Sequence, residues 1–300
     1  MRTRNANYRI GGTSEEDKRP VTVTIDQTTL SAYAAQSAVV RPDVGRLKVM
    51  GVLNATPDSF WSGSRYEATA QAIAVGEEMF ADGAWAVDVG GESTRPGASP
   101  VSAEEELDRV SPIISALAKR GRVSVDTRHA EVADAAVRLG ASVINDVSGA
   151  LHEVAGRLGV GYVGMHSTAV PVRAGTQPGY DDVVTEVSNH LLDIAAAAFS
   201  AGTTELWIDP GIGFGKGTED NLHLLRRLPE LCGLGIPVLL GVSRKSFIGA
   251  VTGRGVADRL PASLAVVAPA WAAGVDVIRV HDVAQTIDTI AMLDTIWGRP

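Results

Sequence analysis

From Lys48 onward the chain alternates short apolar, β-prone runs with longer alanine-rich amphipathic stretches, and no other feature limits its possible folds so strongly. The runs are KVMGVLN, AWAVDVGG, RVSVDT, SVINDVS, GYVGMHS, ELWIDPG, IPVLLGVSR and VDVIRVHD, about eight in all, each followed by a helical candidate. Strand followed by helix, repeated, is the pattern of parallel βαβ units. Near-continuous hydrophobicity within a run predicts burial on both faces, as strands covered by helices require. Eight successive βα units close most economically into a TIM (β/α)8 barrel of the α/β class, with a doubly wound open sheet as the structural alternative. Residues 1–47 differ, being polar and punctuated by Gly and Pro, with one β-prone piece, VTVTI at 21–25. They read as an N-terminal arm or hairpin preceding a catalytic barrel at 48–300.

Composition narrows the function classes. The chain has 300 residues, of which 45% are hydrophobic and 21% charged, ordinary values for a soluble globular protein. Its formal net charge of −8 argues against a whole-protein field that would gather nucleic acid or anionic lipid. Neither nucleic acid nor membrane is therefore an expected partner, and an anionic ligand would need cations gathered locally. The single cysteine, Cys232, permits no intramolecular disulfide. No apolar signal segment follows the first ten residues, and no stretch reaches the roughly 18 apolar residues of a membrane span, so a cytoplasmic protein is expected.

The runs end alike. Their C-terminal sides carry Asn54, Asp88 with Gly90 and Gly91, Asp126, Asn145, His166, Asp209, Ser243 with Lys245, and Arg279 with His281. In a barrel these positions converge on one mouth, where the βα loops build the active site. Asp126, Asn145 and Asp209 would line one wall of it at differing heights. Buried acids are costly unless paired or hydrogen-bonded, and a flat heterocycle with an amino-amidine edge would satisfy them with several N–H donors. Each could instead cap the next helix, a reading that weakens when three occur together.

Arg279 and His281 are an i, i+2 pair whose side chains point to one face of a strand. The loops after strands seven and eight are the habitual phosphate site of this fold, so the pair reads as an anion grip. Lys245 adds a cation, while its neighbour Arg244 should face the opposite side and stays unassigned. DPGIGFGKGT matches neither phosphate-binding pattern. Pro210 stands where G-x-x-x-x-G-K-[ST] needs its first glycine, Gly217 where it needs Ser or Thr, and Lys216 where G-x-G-x-x-G needs its last glycine. Its glycines would let backbone approach a ligand, with Phe214 as a stacking surface. No serine sits in a nucleophile elbow and no Cys/His cluster has metal-ligand spacing. A Mg²⁺ bridging Asn54 and a diphosphate would suit a hard cation that keeps its waters and few protein ligands.

The blocks GVLNATPDSF, DVGGESTRPGA, SVDT, INDVSGA, DPGIGFGK, GVSRKSFIG and RVHDV, in this order from about Val49 to the C-terminus, resemble the dihydropteroate synthase family of folate biosynthesis. The resemblance implies a transferase on a TIM barrel, joining 6-hydroxymethyl-7,8-dihydropterin diphosphate to 4-aminobenzoate through departure of pyrophosphate and attack of the aryl amine. It implies that Asp126, Asn145, Asp209 and Lys245 form the pterin pocket. It places Asn54, Arg279 and His281 at the pyrophosphate and Mg²⁺ site, and Thr94, Arg95, Pro96, Phe214 and Ser243 in the aminobenzoate region. It further implies a homodimer and a sulfonamide target. Two stretches depart from the family: WSGSRYEA after NATPDSF, bringing Trp61 and Arg65, and Ser167 and Thr168 after MH. A pterin-binding methyltransferase that serves a corrinoid partner shares the acid and amide wall but has no use for a diphosphate grip. A non-catalytic pterin-binding paralogue would keep the motifs and lose turnover.

Overall fold

The structure, a computed structural model, describes residues 8–9, 22–23, 46–55, 65–93, 100–168 and 179–297. The chain divides into two compact units, Met1–Val40 and Arg41–Pro300. In the first, Tyr8–Arg9 pairs antiparallel with Thr22–Val23, the latter from the β-prone run.

The second unit is built on β1 (Lys48–Asn54), β2 (Ala86–Gly90), β3 (Val123–Asp126), β4 (Val143–Asp146), β5 (Gly161–Met165), β6 (Leu206–Asp209), β7 (Leu239–Gly241) and β8 (Val277–Val280). All eight lie in one sheet in the order 6-5-4-3-2-1-8-7, and every ladder is parallel. A bridge between Ile208 and Val238 joins β6 to the approach of β7, with the Ile208 N–H donating to Pro237 O at 2.9 Å. That bridge sets aside the open sheet: the strands form a TIM barrel.

Helices follow the strands: α1 (Arg65–Ala81), α2 (Ala103–Leu117), α3 (Ala130–Arg138), α4 (His152–Leu158) and α5 (Val183–Ser200). After β6 come α6 (Thr218–Arg226) and α7 (Leu228–Cys232), after β7 α8 (Ser246–Thr252) and α9 (Leu260–Ala273), and after β8 α10 (Val283–Trp297). The layer they form explains the strand composition. Every residue of β2, β4, β5 and β6 is buried, and full burial of each large aliphatic side chain is worth about 1.5–3 kcal/mol.

Met50, Ala86, Val143, Val163, Trp207, Leu239 and Val277 pack together in the buried core. The N-terminal end of the barrel is closed by residues that immediately precede strands. The Arg122 guanidinium lies 4.4 Å from the centroid of Trp85 and 5.4 Å from that of Trp207, and it pairs with Glu205. Aromatic faces attract a cation held in this way. At the opposite end the strands terminate in acids, amides and bases.

Candidate active site

Sheet register places the strand-end residues. Asn54 pairs with Gly90, Gly90 with Asp126 and Asp126 with Asn145, one row across β1 to β4. Asn145 pairs with Val163, whereas Asp209 pairs with Met165, two residues further along β5. Asp126 and Asn145 are thus register partners, while Asp209 pairs with a position two residues further along β5 than the partner of Asn145.

Hydrogen bonds draw these side chains together. Arg279 Nε donates to Asp88 Oδ2 at 2.5 Å, its NH2 donates to Asp126 Oδ2 at 2.5 Å, and Asn145 Nδ2 donates to Asp88 Oδ2 at 2.8 Å. As an anion grip Arg279 would present its nitrogens to a ligand; here two of them are held by carboxylates. Its strand neighbour His281 makes contact with Ser243 instead, Nδ1 lying 3.1 Å from Ser243 Oγ.

The Lys245 ammonium donates to Ile212 O and lies 4.7 Å from the Phe214 ring centroid. Asp209 Oδ1 accepts the Gly211 N–H at 2.7 Å. A Cβ built on Gly241 would stand 3.5 Å from Lys245 Nζ and 3.7 Å from Asp209 Oδ2, so these two opposite charges meet beside the end of β7. Arg244 turns the other way, with φ 58°, and pairs with Asp282 through Nε at 2.9 Å.

Burial governs the protonation of this cluster. It pushes the Asp126 carboxyl up, helped by Asp88, Glu106 and Asp146, with Arg279 opposing. Burial also pushes Asp209 up, against the pull of Lys245 and the Gly211 N–H. The Lys245 ammonium is pushed down to about 8 by burial, with Asp209 resisting. Burial works against the Arg279 charge as well, but Asp88 and Asp126 outweigh it and hold the guanidinium above its ordinary value. Desolvation and partner charges thus pull in opposite directions at every member, as they do at sites built for chemistry and also in structural ion-pair networks.

Sequence reasoning leaves several residues here without a role. Asp88, which the sequence sets among the run ends converging on the mouth but assigns nothing, is the hub of the acid wall. Lys216 is buried, donates to His166 O at 3.2 Å and Gly211 O at 2.9 Å, and is pushed down to about 7 by burial. His166 directly follows β5, and its ring packs edge-on against His190 of α5 at 4.9 Å.

Glu92, Glu106 and His129 have ligand atoms within 4.8 Å of one another, a grouping that could hold a metal ion. Spacing could not announce it, because Glu92 and Glu106 stand far apart in the second βα unit and His129 comes from the third. Glu92 already accepts from Arg128 at 2.7 and 2.9 Å, and His129 Nδ1 lies 2.6 Å from Glu106 Oε2, so the charges of the group are largely met within the protein. Thr94, Arg95 and Pro96 lie outside the described residues, as does Trp61. Asn54 is half-buried at the last position of β1.

A barrel whose mouth presents carboxylates, an amide and buried bases to a flat polar ring has the site of a pterin-binding enzyme, and the sequence model of the family described as "Pterin binding enzyme" matches residues 50–281. Dihydropteroate synthase of Bacillus subtilis is 42% identical over 285 residues, covering 92% of this chain and 96% of that protein. Among solved structures, Xanthomonas albilineans dihydropteroate synthase with 4-aminobenzoic acid superposes with a TM-score of 0.80 at 44% identity, covering 86% of this chain and 95% of that one. The same enzyme in complex with 7,8-dihydropteroate gives a TM-score of 0.77 at 41% identity, covering 86% and 96%. The chain belongs to the dihydropteroate synthase family.

Proposed function

We propose that the barrel condenses 6-hydroxymethyl-7,8-dihydropterin diphosphate with 4-aminobenzoate, giving 7,8-dihydropteroate and pyrophosphate. The observation that carries this reading is the convergence of Asp126, Asn145, Asp209 and Lys245 on one mouth with Arg279 among them. Acceptors gathered at neighbouring strand ends suit a ring whose amino-amidine edge offers several N–H donors. Family membership supplies the substrate pair, since two related structures hold 4-aminobenzoic acid and 7,8-dihydropteroate.

In this reading Asp126, Asn145, Asp209 and Lys245 hold the pterin. The C–O bond at the pterin methylene breaks with its electron pair leaving on the diphosphate, and the ring system delocalises the resulting cation. Arg279 and His281 stabilise the departing charge, a term that acts chiefly in the transition state. The aryl amine, positioned by Phe214 and Ser243 together with Thr94, Arg95 and Pro96, then forms the C–N bond and releases its proton. With a good leaving group and a held nucleophile, positioning supplies much of the rate.

Asn54 suits a magnesium ion at the rim: it offers a neutral amide oxygen at the end of β1, beside Gly90, which has no side chain to crowd that flank. Such an ion, when bound, would neutralise part of the diphosphate charge. We assign catalysis to residues 48–300, with 1–47 as an arm, and read the protein as a cytoplasmic homodimer. The exposed Met292, Ile296 and Trp297 on α10 support an apolar seam, and no helix among the described residues is long and apolar enough to cross a membrane. The direct test is purified protein with both substrates and Mg²⁺. Stoichiometric pyrophosphate and dihydropteroate are expected, each vanishing when either substrate is withheld; pyrophosphate release that ignores the aminobenzoate would defeat the reading.

A further inference from the structure

We propose that Asp88 is a positioning residue of this pocket, whose carboxylate fixes which end of its amide Asn145 presents and where Arg279 aims its guanidinium. The inference deepens the pterin reading of the site and rests on it.

Asp88 lies in the middle of β2, in register with Val52 and Ser124. It stands two residues before Gly90, so the two share a face of the strand and Asp88 sits one layer beneath the row of Asn54, Asp126 and Asn145. Its side chain is 0% exposed, in a strand whose other members are Ala, Val and Gly. A carboxylate is expensive in such a place unless donors surround it. Oδ2 receives two, from Asn145 Nδ2 and Arg279 Nε, while Oδ1 has no hydrogen-bond partner among the described residues.

A carboxylate only accepts, so the Asn145 atom that meets Asp88 has to be the amide nitrogen. The carbonyl oxygen at the other end of that amide is thereby turned away from Asp88. Asn145 is the register partner of Asp126, which leaves two acceptors side by side for a ligand edge rich in N–H groups. Without Asp88 the amide could turn over and set a donor against that edge. The same Oδ2 anchors Arg279 by Nε, which fixes the pivot from which its terminal nitrogen reaches Asp126. Asp88 acts through its two neighbours and has no need to touch the substrate.

The test is D88N, which keeps the shape and supplies a donor as well as an acceptor. The KM for the pterin diphosphate should rise about tenfold or more, from an acceptor lost or reversed at the ring edge, with the KM for 4-aminobenzoate within about twofold of wild type. The exchanged pair D88N/N145D puts a carboxylate at 145, accepting from the new amide at 88, and presents an acceptor to the ligand again. It should recover at least half of the lost pterin affinity on a logarithmic scale. A D88N enzyme with a lower Tm and both KM values unmoved, or an exchanged pair no better than D88N, would overturn the proposal.

Should D88N fail to fold, the wild-type protein answers by NMR. The Asn145 side-chain amide protons, assigned by their loss in N145D, should exchange slowly before ligand and keep their shifts when the pterin diphosphate is added. Fast exchange that slows only on binding would refute the assigned orientation. A wild-type protein that makes no dihydropteroate defeats the reading of function, while the NMR result still decides the role of Asp88.

Discussion

Arg279 shows how a pocket lined with acids is kept folded. Its Nε and NH2 groups give Asp88 and Asp126 donors from within the protein, and breaking such a pair leaves carboxylates buried without compensation. In R279A the turnover number should fall by about 10²-fold or more, as when a preorganised charge stabiliser is removed. Substitution of a histidine away from the mouth, such as the exposed His223 in the last turn of α6, should do far less; steady-state kinetics on the two purified variants compare them. Lys245 makes a prediction in pH. Burial holds its ammonium near about 8, so its charge is present below that value and is lost as the pH rises through it. The alkaline limb of kcat/KM should begin there, and in K245R, whose guanidinium stays charged, the limb should move to higher pH even though the altered geometry lowers the rate. Superimposable profiles would remove Lys245 from that role. The sequence discloses Asp126, Asn145, Asp209, Lys245 and Arg279 because parallel strands in a barrel turn strand ends into a shared mouth. It is silent about Lys216, whose partners are two backbone carbonyls that only the folded chain brings near.

All eight strands lie within the apolar runs, since burial on both faces leaves an unbroken hydrophobic signature. The helices were less legible. A single candidate follows each run, yet two helices follow β6 and two follow β7. Pro229 in the first turn of α7 lacks the N–H that a helix continuing from α6 would use, and Gly253, at φ 70°, ends α8 in the left-handed region. The glycine that directly follows β2 has a different use. A Cβ on Gly91 would lie 2.9 Å from Glu106 Cγ and 2.9 Å from Val110 Cγ1, so its bareness lets α2 pack against the strand exit. G91A should cost about 1–3 kcal/mol through forced displacement of α2. Denaturant unfolding measures that loss, and a midpoint equal to wild type would mean that the helix yields without strain. The link from Glu92 to Arg128 crosses from one βα unit to the next, and no local pattern in either segment points to the other.

Across the Arg41–Pro300 unit the two ends of the barrel are specialised for different tasks. Arg122, Trp85, Trp207 and Glu205 close the end away from the mouth. R122A should therefore lower Tm by a few degrees, from the lost cation–π and ionic contacts, and leave both KM values and kcat unchanged. Altered kinetics in that variant would show that the two ends communicate. That the units close into a ring was readable from their number; how tightly each joint closes was not, because pairing length depends on stagger between distant strands. Seven joints are stitched by ladders of several residues, and the eighth, between β6 and β7, by the lone bridge of Ile208 and Val238. Asp209 and Lys245 stand on opposite sides of that joint. Like a hoop with one slender stave, the ring carries its least backbone pairing at the flank where these charges face each other.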